Sequence, residues 1–184
     1  AAGLSAEQIA VEPASWYEEN KVYQMLGRTV TSVDPEAKEV LLDDGSKCRY
    51  TKLIYALGSE CFIPPIPGWD KPEVIAIRRL SDTEKIASLL PHTKEVVVIG
   101  GGVLGLEAAW ELKKSGCSVT VLELAPQIMG RQLDLPASQL LTEIARDCGI
   151  QIHTGVQIAS IEGDTSVTGV KLADGTCFPA QMVI

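Results

Sequence analysis

The chain has no Cys-x-x-Cys pair, no run of basic residues and no long uninterrupted hydrophobic stretch. Each absence removes a class of function. Without clustered cations nothing can track a phosphate backbone or an anionic lipid surface. The balance of 16 basic against 24 acidic residues, a formal charge of −8, points the same way. Nucleic acid and membrane are therefore not expected partners. The longest apolar run, around 96–106, is short, glycine-rich and closed by Glu107, so it is not a membrane span. Histidine occurs only twice, at His92 and His153, with no metal-ligand spacing around either, and no metal site is expected. His153 falls in an expected strand and suits a partly buried ring. The five cysteines, Cys48, Cys61, Cys117, Cys148 and Cys177, are scattered and odd in number. That fits free thiols in a reducing compartment, here the cytoplasm. Cys61 is the loop candidate for a redox thiol, but no cationic partner is evident in the sequence, so a structural thiol is expected.

What is present is a core and a signature. A length of 184 residues with 46% hydrophobic content suits one or two packed domains. Residues 95–107 read Glu-Val-Val-Val-Ile-Gly-Gly-Gly-Val-Leu-Gly-Leu-Glu, an apolar strand entering a Gly-x-Gly-x-x-Gly turn. Gly100 makes the tight turn, Gly102 lets the backbone approach a pyrophosphate, and Gly105 lets the following helix pack on the strand. The turn residues Gly100, Gly101, Gly102, Val103, Leu104 and Gly105 would line the phosphates, with free N–H groups and the positive helix end facing them. A second apolar run, Ser118-Val-Thr-Val-Leu-Glu123, ends in an acid 21 residues after Gly102. Glu123 would accept hydrogen bonds from a ribose 2′-hydroxyl.

Glu123 argues for NAD(H) over NADP(H), because a 2′-phosphate would meet its negative charge. FAD uses the same fingerprint, so the motif alone leaves it open. Arg131 is the nearest cation. It either reaches the nucleotide or pairs with a surface carboxylate, and the sequence favours neither.

The chain also repeats itself. Leu26-Gly-Arg-Thr-Val-Thr-Ser-Val-Asp34 matches Thr154-Gly-Val-Gln-Ile-Ala-Ser-Ile-Glu162. Val40-Leu-Leu-Asp-Asp-Gly-Ser46 matches Val170-Lys-Leu-Ala-Asp-Gly-Thr176, and Cys48 to Tyr55 matches Cys177 to Ile184. Asp44-Gly45 and Asp174-Gly175 are hairpin signals between apolar runs. Two related nucleotide-binding units are implied, of which only the second has its glycine turn before the meander. Together with the missing initial Met, this predicts a segment of a larger enzyme.

The expected elements follow. Residues 5–20 form a short helical or irregular stretch, with Trp16-Tyr17 packing on a neighbour. Strands are expected at 22–33, 38–43, 48–50 and 52–56. Pro64-Pro-Ile-Pro-Gly68 is stiff and extended, a link between units. Ser81-Asp-Thr-Glu84 carries a capping pattern and starts a helix to about Leu90. Strand 95–99, helix 103–115 and strand 118–123 follow. Asp134 caps a helix with Pro136 in its first turn, ending near Gly149. A strand at 150–153 leads into a three-strand meander over 156–184. Strand–helix alternation after residue 95 predicts a parallel sheet.

This order, with Tyr50-Thr-Lys-Leu-Ile-Tyr-Ala-Leu-Gly-Ser59, Ile63-Pro-Pro-Ile-Pro-Gly68 and Val97 to Glu107, resembles the FAD-dependent pyridine nucleotide–disulphide oxidoreductase family over essentially the whole chain. Arg131-Gln-Leu-Asp134 and Trp16-Tyr17 look most like the flavoprotein part of NADH-dependent nitrite reductases, with rubredoxin:NAD oxidoreductases close behind. The resemblance implies an α/β fold: residues 1–62 as part of a FAD domain, and residues 63–184 as a Rossmann-like NAD(H) domain of parallel sheet plus three-strand meander, truncated at its C-terminal end. It implies that Ala56 and Gly58 lie near FAD, with Leu57 where the family has Thr, and that Glu107 sits near nicotinamide and flavin. An acid simply favouring the first helical turn explains Glu107 equally well. NADH would pass a hydride to flavin, and electrons would go on to an acceptor domain or protein. This segment supplies binding and no catalytic side chain, and by itself should bind nucleotide without turnover. An NADH oxidase, a peroxidase, a coenzyme A–disulphide reductase or a non-catalytic nucleotide-binding module are the alternatives.

Overall fold

Short antiparallel ladders form wherever an Asp-Gly turn brings two apolar runs together. The computed structural model describes residues 7–184. It divides into two compact units, Ala1–Ser59 and Glu60–Ile184. The first contains helix α1 (Ala14–Glu19) and an antiparallel meander of β1 (Val30–Asp34), β2 (Glu39–Leu42) and β3 (Lys47–Arg49). Helix α1 buries no residue; Trp16 and Tyr17 stack edge to face on each other, ring centroids 5.2 Å apart. The expected strand 22–33 is shorter than its apolar run because a turn at Leu26-Gly27, with Gly27 at φ +69°, interrupts it. Residues 52–56 form no strand: their side chains are exposed and no ladder bonds reach them among the described residues.

The second unit begins with a segment that looked like a linker. Pro67 O accepts the Ile161 N–H at 2.8 Å, and Gly68 lies at φ +88° with its Cα so close that a Cβ would stand 2.3 Å from Ile161 O. The chain then runs beside Val183, with Val183 N–H donating to Glu73 O at 3.0 Å and Ile75 N–H to Val183 O at 2.9 Å. The proline-rich stretch is thus stitched into this unit. Next comes α2 (Leu80–Leu89). Its cap is not the expected Ser81/Glu84 pair. Asp82 accepts from the N–H groups of Arg78 (2.8 Å) and Arg79 (2.7 Å), and these bonds, that of Arg79 first, hold its carboxyl below the usual range.

Strand β4 (Glu95–Ile99), helix α3 (Val103–Lys114), strand β5 (Ser118–Glu123), helix α4 (Leu135–Asp147) and strand β6 (Ile150–Thr154) then alternate as expected. Asp134 caps α4, accepting from Ala137 N–H at 3.0 Å, with Pro136 in the first turn. The meander β7 (Ile158–Glu162), β8 (Gly169–Leu172), β9 (Cys177–Pro179) stops at Pro179, before the expected end. The last strand, β10 (Met182–Val183), leaves it and pairs in parallel with β4. Met182 and Val183 are both buried, one in each half of the core, so a sheet covered on both faces suits them better than a meander edge. The resulting parallel sheet has the order β10-β4-β5-β6.

Alternation along each strand sorts the core into two halves. Val96, Val98, Val119, Val121 and Met182 pack with Ile86 of α2, Ala109 and Leu112 of α3, and Ile128. Val97, Leu122 and Val183 pack with Ile161, Val170 and Leu172 of the meander. Helices therefore cover one face and the meander the other. A sheet buried on both sides requires uninterrupted apolar strands, which is why Val96-Val97-Val98 carries no polar residue.

The repeat persists in atomic detail. Both meanders shift register at the same place, between Val30 and Ser32 and between Ile158 and Ser160. Gly45 and Gly175 have φ of +81° and +91°. Asp44 and Asp174 each accept the N–H two residues on at 2.9 Å, and both carboxyls lie below their ordinary range. The Ser46 hydroxyl is the main cause for Asp44 and the Thr176 N–H for Asp174.

Candidate functional site

The order β10-β4-β5-β6 means that successive crossovers leave β4 in one direction and that β10 lies on its other side. The crevice at the carboxyl end of β4 is thus a topological switch point, where open α/β sheets bind ligands. The glycine turn sits there.

Each of its glycines has a different physical constraint. Gly100 has φ +111°, which a side chain would strain. Gly105 presses against the turn: a Cβ there would lie 2.0 Å from Gly100 O. Gly102 is the N-cap of α3 at φ −83°, and a Cβ added to it would have no neighbour within 4 Å. That open space, and not local strain, is what glycine secures at position 102. Gly101, which the fingerprint leaves unspecified, is buried, and its Cβ would meet Ile128 Cγ2 at 2.7 Å. The sequence pattern offered no reason for glycine at this position; the contact with Ile128 supplies it.

No side chain caps α3 and no acid occupies its first turn. Its leading N–H groups therefore face the crevice unpaired by an acidic cap, whereas Asp82 and Asp134 occupy that place on α2 and α4. Val103 and Leu104 are exposed at this end.

Glu123 ends β5 beside the turn. Its Oε2 accepts the Gly101 N–H and its Oε1 the Ala125 N–H, both at 2.6 Å. The loop beyond is fastened to the turn as well. Met129 N–H donates to Gly101 O at 2.8 Å, and the buried Ser138 hydroxyl donates to Ile128 O at 2.8 Å. Gln127 Nε2 donates to Leu133 O at 3.1 Å. Ser138→Ala should cost about 1–2 kcal/mol, since it leaves the Ile128 carbonyl without its donor in the interior. A denaturant melt would read this; an unchanged midpoint would show that the loop is not held from beneath.

Arg131 projects from this fastened loop, exposed, with no carboxylate partner among the described residues. Glu107 lies at the fifth position of α3, beyond the first turn, so the helix-end explanation fails for it; it is exposed. Ala56 and Gly58 belong to the first unit and are exposed in a segment that is neither helix nor strand.

Sequence reasoning missed a cavity of about 230 Å3 on the β10 side of the turn. Ile99, Leu104, Ala108 and Ile184 line it from the sheet and α3, and Phe62 and Ile63 from the segment before α2. Its signal was the apolar run at 61–66, which overlaps the stretch Pro64–Gly68 that reads as a linker. A second depression is lined by Cys61 together with Arg78, Arg79 and Lys85 and the carboxylates Glu60 and Asp82. Arg79 pairs there with Glu60. Cys117, by contrast, is buried, and burial pushes its thiol up. His153 packs its ring on Phe178, centroids 4.7 Å apart.

A parallel sheet with a glycine turn at its switch point, helices on one face and a meander on the other is a Rossmann-like α/β domain. The chain belongs to the pyridine nucleotide-disulphide oxidoreductase family, whose profile matches residues 2–184. Members of this family are FAD-dependent NAD(P)H oxidoreductases. Over 97% of its length the chain is 40% identical to the NAD(P)H nitrite reductase of Bacillus subtilis (strain 168), of which it spans 22%. It is 34% identical to a ferredoxin–NAD(P)(+) reductase of Sphingomonas sp., spanning 45% of that protein. A solved ferredoxin reductase from Rhodopseudomonas palustris superposes with a TM-score of 0.88 at 31% identity, over 94% of this chain and 43% of that one. The chain thus spans less than half the length of these relatives. None of its described helices is long and apolar enough to cross a membrane.

Proposed function

We propose that this chain is the NAD(H)-binding portion of a FAD-dependent oxidoreductase that takes a hydride from NADH and passes electrons to an acceptor of the nitrite-reducing-domain or rubredoxin type. One observation carries the cofactor assignment: a carboxylate, Glu123, is fixed beside an uncapped helix N-terminus at the switch point. The pyrophosphate would lie over Gly102 against the first N–H groups of α3. The adenosine ribose would meet Glu123, and Arg131, exposed on the loop between β5 and α4, would reach the nucleotide from there. The other end of the dinucleotide would then point across β4 towards the apolar cavity at Ile99, Leu104 and Ile184. Glu107, exposed on α3, would face the reacting end. Bound flavin would supply the redox chemistry; the residues here bind, orient and exclude water. The acceptor rests on the similarity to a nitrite reductase and to ferredoxin reductases.

The test is anaerobic mixing of NADH with the FAD-loaded enzyme, followed by flavin absorbance, with nitrite and oxidised rubredoxin added in turn. Bleaching by NADH and recovery on addition of one acceptor is the expected result. NADH binding without bleaching would leave a non-catalytic nucleotide-binding module instead.

A further inference from the structure

Three hydrogen bonds tie the glycine turn to β5 and the segment after it. Gly100 N–H donates to Leu122 O at 2.8 Å, Gly101 O accepts from Met129 N–H at 2.8 Å, and Gly101 N–H donates to Glu123 Oε2 at 2.6 Å. Two of the three join backbone to backbone. Only the third uses a side chain. The same carboxylate ties down the Ala125 N–H with its other oxygen. Charge-assisted bonds of this length are the strong kind.

We propose that Glu123 is a positioning residue for the pyrophosphate as well as a ligand for the ribose: its carboxylate splints the glycine turn to the β5–α4 loop and so sets where Gly102 and the α3 N-terminus meet the phosphates. This rests on the nucleotide assignment above. The two roles are compatible, because each carboxylate oxygen has two acceptor sites and the backbone uses one on each. The splint also makes the acid static. A carboxylate held at both oxygens cannot swing aside for a 2′-phosphate, so exclusion of NADP(H) does not depend on a rotamer.

A ribose-only role and a positioning role differ in one measurable respect. Glu123→Gln keeps a single acceptor oxygen, so one of the two N–H groups must lose its partner whichever way the amide is turned. Its effect should therefore persist with a ligand that has no ribose hydroxyls for it to contact. The experiment measures Kd for NADH and for its 2′,3′-dideoxyadenosine analogue, in the unsubstituted protein and in E123Q. Weakening of the analogue by about tenfold in E123Q is expected from the loss of one charged-group hydrogen bond. Removing a negative charge would by itself tighten an anionic pyrophosphate, so electrostatics works against this result. An analogue Kd that E123Q leaves unchanged would overturn the positioning role while leaving NADH binding intact. A second measurement needs no variant: in the free protein the Gly101 amide should exchange with solvent as slowly as the β5 ladder amides. A Gly101 amide that exchanges like an open loop overturns the splint. If the unsubstituted protein binds no NADH at all, the nucleotide assignment fails, and the amide exchange still decides whether Glu123 holds the turn.

Discussion

Gly105→Ala should destabilise the second unit by about 2 kcal/mol, whereas Gly102→Ala should leave stability within about 1 kcal/mol and strongly weaken nucleotide binding. The two glycines sit three residues apart in one motif but face different neighbours. A Cβ at Gly105 would stand 2.0 Å from Gly100 O, a backbone atom that cannot step aside without moving β4 or α3. Overpacking of this kind costs about 1–3 kcal/mol or more. The gain in helix propensity from Gly to Ala, about 1 kcal/mol, offsets only part of it. At Gly102 the backbone is in an ordinary extended region, φ −83° and ψ −176°, and no atom lies within 4 Å of the added methyl. Alanine fits the free protein there. It would project into the space where a pyrophosphate must approach the backbone, and a loss of about a hundredfold in NADH affinity is expected. Denaturant melts and calorimetric titration of both variants check the pair. Equal loss of stability in both, or unimpaired NADH binding by G102A, would contradict the division of labour.

NADH should bind at least about tenfold more tightly than NADPH, because a 2′-phosphate would be placed against the Glu123 carboxylate. Calorimetric titration with each nucleotide measures this. Glu123→Ala should narrow the ratio, chiefly by weakening NADH. It should not produce an NADPH-preferring protein, because the turn that holds the phosphates loses its splint together with the charge. Equal binding of the two nucleotides by the unsubstituted protein, or a preference for NADPH, would sink the cofactor assignment.

Most secondary structure after residue 95 was legible because its signals are local. The strand before Gly100, the Asp134 cap and the Asp44-Gly45 and Asp174-Gly175 hairpins depend on residues a few positions apart. The internal repeat was legible for the same reason, and it extends to the matching register shift in each meander. Local signals misled where a partner strand was needed. Residues 52–56 have an apolar strand pattern, yet no ladder reaches them among the described residues. Met182 and Val183 follow a meander in sequence but pair with Val96 and Val97, 86 residues earlier. The candidate site divides the same way. The three motif glycines and Glu123 could be named from spacing. The constraint on Gly101, the clamp through Met129 and Ser138 and the cavity beside Leu104 could not.

By itself the sequence determined the kind of site: a tight turn, an approachable backbone, a helix start and an acid at set intervals, all short-range requirements of the backbone. The tertiary structure decided which atoms those residues meet. It placed Ile128 under Gly101, stitched residues 67–75 along Ile161 and Val183, and committed both oxygens of Glu123 to backbone N–H groups. Such contacts depend on which face of a two-sided sheet each layer covers, and side chains remote in sequence settle that by competing for the same buried space.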